Sequence, residues 1–126
     1  MGHIENYRAR LSAAIDAVSE NAMNAWIQRL ARARSEQATI FVAGNGGSAA
    51  TASHFATDLG KGASYGKDER FRVVALTDSM STITAYANDV SYDVVFAEQL
   101  RNLGGPGYLC IVYCYNIIVY DSATWP

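Results

Sequence analysis

Cysteine, proline, histidine and charge are all scarce in this chain. Of its 126 residues, two are cysteine, two proline and two histidine, and only 17% carry charge, for a net −2. So little charge, nearly balanced, argues against a protein that binds nucleic acid through bulk electrostatics. No apolar run reaches the roughly 18 to 20 residues needed to span a membrane. The opening "MGHIENYRAR" lacks the apolar centre of a secretion signal. Cys110 and Cys114 share one short apolar run. In an extended strand, residues four apart stand about 13 Å from each other, too far for a disulfide. They are expected to be buried free thiols of a cytoplasmic protein.

What the chain does have is apolar surface, with half of its residues hydrophobic. That suits one soluble domain with a modest core. Residues 4 to 34 contain neither proline nor glycine. Ile4, Leu11, Ile15, Val18, Ala22, Trp26 and Leu30 recur there at helical steps. Ser19 is placed to cap a second helix if the segment breaks at "SEN". An arm of this length, residues 1 to 35, needs a surface to cover, either its own domain or a partner subunit. "ATIFVAG" (38 to 44) reads as a strand buried on both faces, and residues 49 to 60 as the helix that follows it. "FRVVALT" (71 to 77) and "YLCIVYCY" (108 to 115) read as further strands. Helices are expected at "SMSTITAYA", opened by Asp78 or Ser79, and at 93 to 103, stopped by "GGPG". Helices alternating with apolar strands predict a parallel sheet covered on both faces.

The turn "GNGGS" sits directly after the buried strand. Glycines there permit positive φ and a close ligand approach, and the first helical N–H groups favour an anion. Gly44, Asn45, Gly46, Gly47 and Ser48 therefore read as an anion cradle, or else as a plain corner with Ser48 capping the helix. The same residues fit a loose G-x-G-x-x-A through Ala49, but Asp78 lies well past the acid's usual spacing of about 20 residues. The lysine of a P-loop is absent. His54 and Asp58, at i and i+4, share one helix face. They can serve one metal or one proton path, or Asp58 can pair with Lys61. Asn88 and Asp89, in "YANDVSYD", read as a helix end or as a sugar contact.

In the family's order, "AGNGGSAATASHFATDLGKG" and "VVALTDSMSTITAYANDVSYDVVFAEQLRNLGGPG" resemble the sugar isomerase (SIS) fold. Within it they are most similar to the phosphoheptose isomerase group, which converts sedoheptulose 7-phosphate to a heptose 7-phosphate. The resemblance covers roughly residues 1 to 107. It implies a three-layer α/β/α sandwich with a parallel, flavodoxin-like sheet, and a homotetramer with the N-terminal helices between subunits. It also implies a phosphorylated sugar held by Asn45, Gly46, Gly47 and Ser48, with Asn88 and Asp89 near its hydroxyls. His54 would be a metal ligand, typically for zinc. Asp58 would be both ligand and catalytic base, at a position where the best-known isomerases carry glutamate. The chemistry would be an aldose–ketose isomerisation through an enediol, in heptose and lipopolysaccharide biosynthesis.

The family pattern continues with a serine-rich phosphate loop and a helix bearing a glutamine and a second catalytic histidine. Here residues 108 to 126 read "YLCIVYCYNIIVYDSATWP", with no lysine or arginine and four of the eight tyrosines. That composition resembles a shifted reading frame, a truncation or an aberrant tail, or alternatively a compact variant. Weak or no isomerase activity is expected of such a chain. The other readings are a sugar-phosphate-binding module without catalysis and a protein-binding module similar to the DnaA initiator-associating proteins. The latter lack the acid that Asp58 supplies here.

Overall fold

The computed structural model describes residues 2–113 and 117–121. Cys114, expected in the third strand, lies outside them, as do residues 115, 116 and 122–126 of the atypical tail. The chain divides into two compact units, residues 1–32 and 33–126.

The first unit is helical. Helix α1 spans His3–Asp16 and α2 spans Glu20–Ser35. The expected break falls between them, and Ser19 makes the expected cap. Its Oγ accepts the Ala22 N–H at 3.3 Å, and its carbonyl accepts the Met23 N–H at 2.9 Å. At the front of α1, the Gly2 N–H donates to Glu5 Oε2 at 2.9 Å. No residue of α1 is buried, although its sequence repeats apolar side chains at helical steps.

The second unit is built on a four-stranded sheet: β1 (Thr39–Gly44), β2 (Arg72–Ala75), β3 (Leu109–Tyr113) and β4 (Ile117–Asp121), in the order β2-β1-β3-β4. Strand β1 is buried along all but its first residue, as its continuous apolar run predicts. It pairs in parallel with β2, where Ile40 faces Val73, and with β3, where Phe41 faces Cys110 and Gly44 faces Tyr113. Beyond β2 the Leu76 N–H continues the ladder to the Val42 carbonyl at 2.8 Å. The sheet is not wholly parallel, because β4 runs antiparallel to β3. Only residues 114–116 separate the two, and a parallel crossover needs about a dozen residues or more. So short a link can only reverse the chain.

Alternation along β1 divides the core between two faces. On one, Ile40, Val42 and Ile111 are buried, as is Ala52 of helix α3 (Gly47–Thr57), which packs on this sheet. On the other, Phe41, Ala43 and Cys110 meet Leu76 and Leu100 of helix α5 (Ala97–Leu103), with Tyr108 edge-on to Phe41. Helices thus cover both faces, giving the three-layer α/β arrangement. Burial pushes the Cys110 thiol up to about 11 and holds it protonated and unreactive.

Two helices differ from their sequence reading. The helix expected at 93 to 103 is split into a 3₁₀ turn, Tyr92–Val94, and α5. Ser91 opens that turn by accepting the Asp93 N–H at 3.2 Å, which ends α-helical propagation backwards. The helix expected at 49 to 60 begins earlier, at Gly47, and leaves α geometry for a π turn over Asp58–Gly62. There the Ala63 N–H reaches the Asp58 carbonyl at 2.7 Å. Buried Ser64 closes this segment, donating to the Leu59 carbonyl at 2.7 Å and accepting the Phe71 N–H at 2.9 Å. The remaining helix, α4, spans Met80–Asp89, with Ser79 at its N-cap position.

Candidate functional site

The C-terminal ends of parallel strands are where open α/β sheets carry their ligands, at the point where strand order reverses. Here that point is the gap between β1 and β3, and the glycine turn lies on it. Gly44 is the last residue of β1, and a Cβ there would stand 2.5 Å from the Ser48 carbonyl oxygen. Gly46 has φ +55°, a left-handed conformation that suits glycine. It occupies the N-cap of α3 and makes no side-chain cap.

Ser48 is therefore not the helix cap; it sits one residue inside α3. Its own N–H donates to the Asn45 carbonyl at 2.9 Å, and the Ala49 N–H to the Gly46 carbonyl at 3.0 Å. These bonds tighten the turn and take two of its amides out of use. Among the described residues, the Gly46 and Gly47 N–H groups have no backbone acceptor. They, with the Ser48 hydroxyl and the Asn45 carboxamide nitrogen, are donors left at the helix mouth. Of the four residues read as the cradle from the sequence, Ser48 spends its backbone N–H within the turn and keeps its hydroxyl.

His54 and Asp58 do meet. His54 Nε2 and Asp58 Oδ2 are 3.4 Å apart, with both side chains largely exposed. They line a groove of about 440 Å³ with Ala50, Thr51, Phe55 and Tyr113. Tyr113 reaches it from the end of β3 and stands edge-on to Phe55, with ring centres 6.0 Å apart. Burial raises the Tyr113 phenol above its usual range, so it stays protonated near neutrality. An imidazole nitrogen and a carboxylate oxygen on one side of a helix are donors that zinc accepts. A catalytic zinc takes three protein ligands, and no group of three His, Cys, Asp or Glu side chains gathers among the described residues. The pair fits as two ligands, and a third would have to come from elsewhere.

Asn88 and Asp89 do not join this groove. They bond to each other, Asn88 Nδ2 to Asp89 Oδ1 at 2.7 Å, at the end of α4. Asp89 lines a separate groove with Ser81, Thr82, Ala85, Tyr86 and Val90. The loop just beyond them does reach the turn, because the Tyr92 hydroxyl bonds Asn45 Oδ1 at 2.6 Å. A second contact absent from the sequence reading is the bond from the Ser53 hydroxyl to the Asp78 carboxylate, which ties α3 to the loop after β2. Neither Tyr92 nor Tyr113 carries a local motif, so only the tertiary fold brings them to the site.

No family model matches the chain. It is 41% identical over 103 residues to a probable phosphoheptose isomerase of Thermoplasma acidophilum, covering 82% of this chain and 53% of that protein. It is 37% identical over 115 residues to the phosphoheptose isomerase of Methylococcus capsulatus, covering 88% and 54%. Among solved structures, phosphoheptose isomerase GmhA from Neisseria gonorrhoeae superposes with a TM-score of 0.62 at 30% identity, covering 88% of this chain and 60% of that one. A phosphoheptose isomerase from Francisella tularensis shares the fold, with a TM-score of 0.73 at 22% identity. The chain spans about half the length of the relatives matched by sequence. By sequence and by fold it is a homologue of the phosphoheptose isomerases, within the sugar isomerase (SIS) fold.

Proposed function

We propose that this chain handles a phosphorylated sugar as an aldose–ketose isomerase of the phosphoheptose type, with sedoheptulose 7-phosphate as substrate. The reading includes zinc as cofactor and a cytoplasmic homotetramer as the working form. One observation carries it: helix α3 bears anion donors at its mouth and His54 two turns further on, with Asp58, at the start of the π turn that continues it, 3.4 Å from the imidazole. Two turns advance the helix about 10 Å. An extended seven-carbon sugar phosphate can bridge such a distance from its phosphorus to its carbonyl, whereas a three-carbon one cannot.

In this scheme the Gly46 and Gly47 amides and the Ser48 hydroxyl bind the phosphate oxygens. That directs the carbonyl end of the sugar toward the groove. The Asp58 carboxylate removes the proton on the carbon next to the carbonyl and returns it to the neighbouring carbon, so that the enediol closes to the isomeric sugar. His54 and Asp58 are the residues that would hold zinc, which when bound supplies Lewis-acid polarisation of the sugar oxygens. Aspartate is one methylene shorter than glutamate. Its reach differs by about 1.5 Å, and misplacement of that order can cost about a hundredfold in rate. Slow turnover is therefore expected. The tetramer is supported by α1, an amphipathic helix with no buried residue. Among the described residues no helix is long and apolar enough to cross a membrane.

Slow chemistry is best read by isotope exchange. The chain is incubated with sedoheptulose 7-phosphate in D₂O, and deuterium at the ketose C1 is followed by NMR. Exchange above the buffer rate, abolished in Asp58→Asn, is the expected result. Wild-type exchange no faster than buffer, at saturating sugar and with zinc present, refutes the isomerase reading.

A further inference from the structure

Tyr92 is absent from every role assigned above, yet its hydroxyl meets Asn45 Oδ1 at 2.6 Å across 47 positions of sequence. Its backbone is pinned on both sides. Ser91 Oγ accepts the Asp93 N–H at 3.2 Å, and Val95, just past the 3₁₀ turn, is fully buried. The phenol is thus delivered to Asn45 from a fixed base.

The chemistry of the bond has a consequence for the amide. A phenol donates one hydrogen, and a carboxamide has one oxygen that accepts and one nitrogen that only donates. With Oδ1 engaged by Tyr92, the Nδ2 group and its two N–H bonds are left for other partners. Asn45 immediately precedes Gly46, whose N–H is one of the donors at the helix mouth. A reversed carboxamide would instead present oxygen lone pairs to an incoming anion and repel it.

We propose that Tyr92 is a positioning residue for the sugar-phosphate site: it holds the Asn45 carboxamide with its NH₂ group toward the phosphate or hydroxyl oxygens of the ligand. The proposal rests on the sugar-phosphate reading and deepens it. Tyr92 acts only through Asn45, so the two side chains form one functional unit.

The test is a double-mutant cycle read by calorimetric titration with sedoheptulose 7-phosphate. Loss of one aligned hydrogen bond predicts affinity about five- to tenfold weaker in Tyr92→Phe. Asn45→Ala is expected to lose at least as much. In the Asn45→Ala background, Tyr92→Phe should have no further effect, since nothing remains to be oriented. A merely structural role, loosening the turn as a whole, would make the two losses add, and that result overturns the proposal. Wild-type affinity in Tyr92→Phe also overturns it, while leaving the sugar-phosphate reading intact. Absence of binding by the wild-type chain removes that reading and this proposal together.

Discussion

Three glycines in one turn are held there by different forces, and replacing each with alanine separates them. At Gly44 the added methyl would lie 2.5 Å from the Ser48 carbonyl oxygen, 2.7 Å from its carbonyl carbon and 2.9 Å from its Cβ. Comfortable contacts are about 3.5 Å, so the first turn of α3 must shift by about 1 Å. It has little room to do so, because Val42 and Ala43 just before it are fully buried. Overpacking of that kind costs about 3 kcal/mol. At Gly46 nothing lies within 4 Å of the new methyl, but φ is +55°, and left-handed backbone costs about 1 to 2 kcal/mol in a residue with a Cβ. At Gly47 the space is open and no positive φ is required. Alanine there is expected to be neutral or to stabilise by about 0.5 kcal/mol, since it restricts the unfolded chain. Urea unfolding, with midpoints compared at constant slope, gives the order Gly47→Ala, Gly46→Ala, Gly44→Ala from most to least stable. If Gly44→Ala unfolds with the wild type, or is more stable than Gly46→Ala, the close approach of β1 to α3 is not what fixes glycine there.

Two further perturbations probe the frame around the site. Cys110 has its thiol raised by burial from 9.0 to about 11. Below pH 9 both folded and unfolded states hold the proton. Between 9 and 11 only the unfolded state releases it, so stability falls through that window by about 2 kcal/mol. Urea midpoints measured across that range should decline less steeply in Cys110→Ala than in the wild type. Ser64→Ala leaves the part-buried Phe71 N–H without its acceptor and the Leu59 carbonyl without its donor. It should lower unfolding free energy by about 1 to 3 kcal/mol, with Ser64→Thr an informative control in the same assay.

How much of this was legible in the sequence depended on the range of the forces involved. Strand β1 could be read because an unbroken apolar run has few other uses, and the break at Ser19 because capping is local. The His54–Asp58 pair followed from helix periodicity alone. Tyr92 could not be read, since its meeting with Asn45 depends on where the α4 loop is carried by the packed core. Tyr113 likewise faces the groove only because β3 pairs with β1 in one register and not the next. Ser48 was open to two readings, and the position of Gly46 decided between them: with that glycine at the N-cap, the serine falls inside the helix. Asn88 and Asp89 were legible as a helix end, and in this chain they satisfy each other. Strand β4 was not expected, and it departs from the parallel sheet because its link is short, a constraint of chain length that no apolar pattern records.

The central place of β1 gives the glycine turn an unusual anchor. A strand bonded on both edges, with both faces covered, opens only when the domain itself comes apart, so its amides should be among the last to exchange with solvent. The turn begins at the end of that strand and inherits its stillness. Donors held in place before a ligand arrives lose little entropy when it binds. The phosphate end of a sugar would thus meet a seat already set, while any adjustment would fall to the exposed side chains further along the helix.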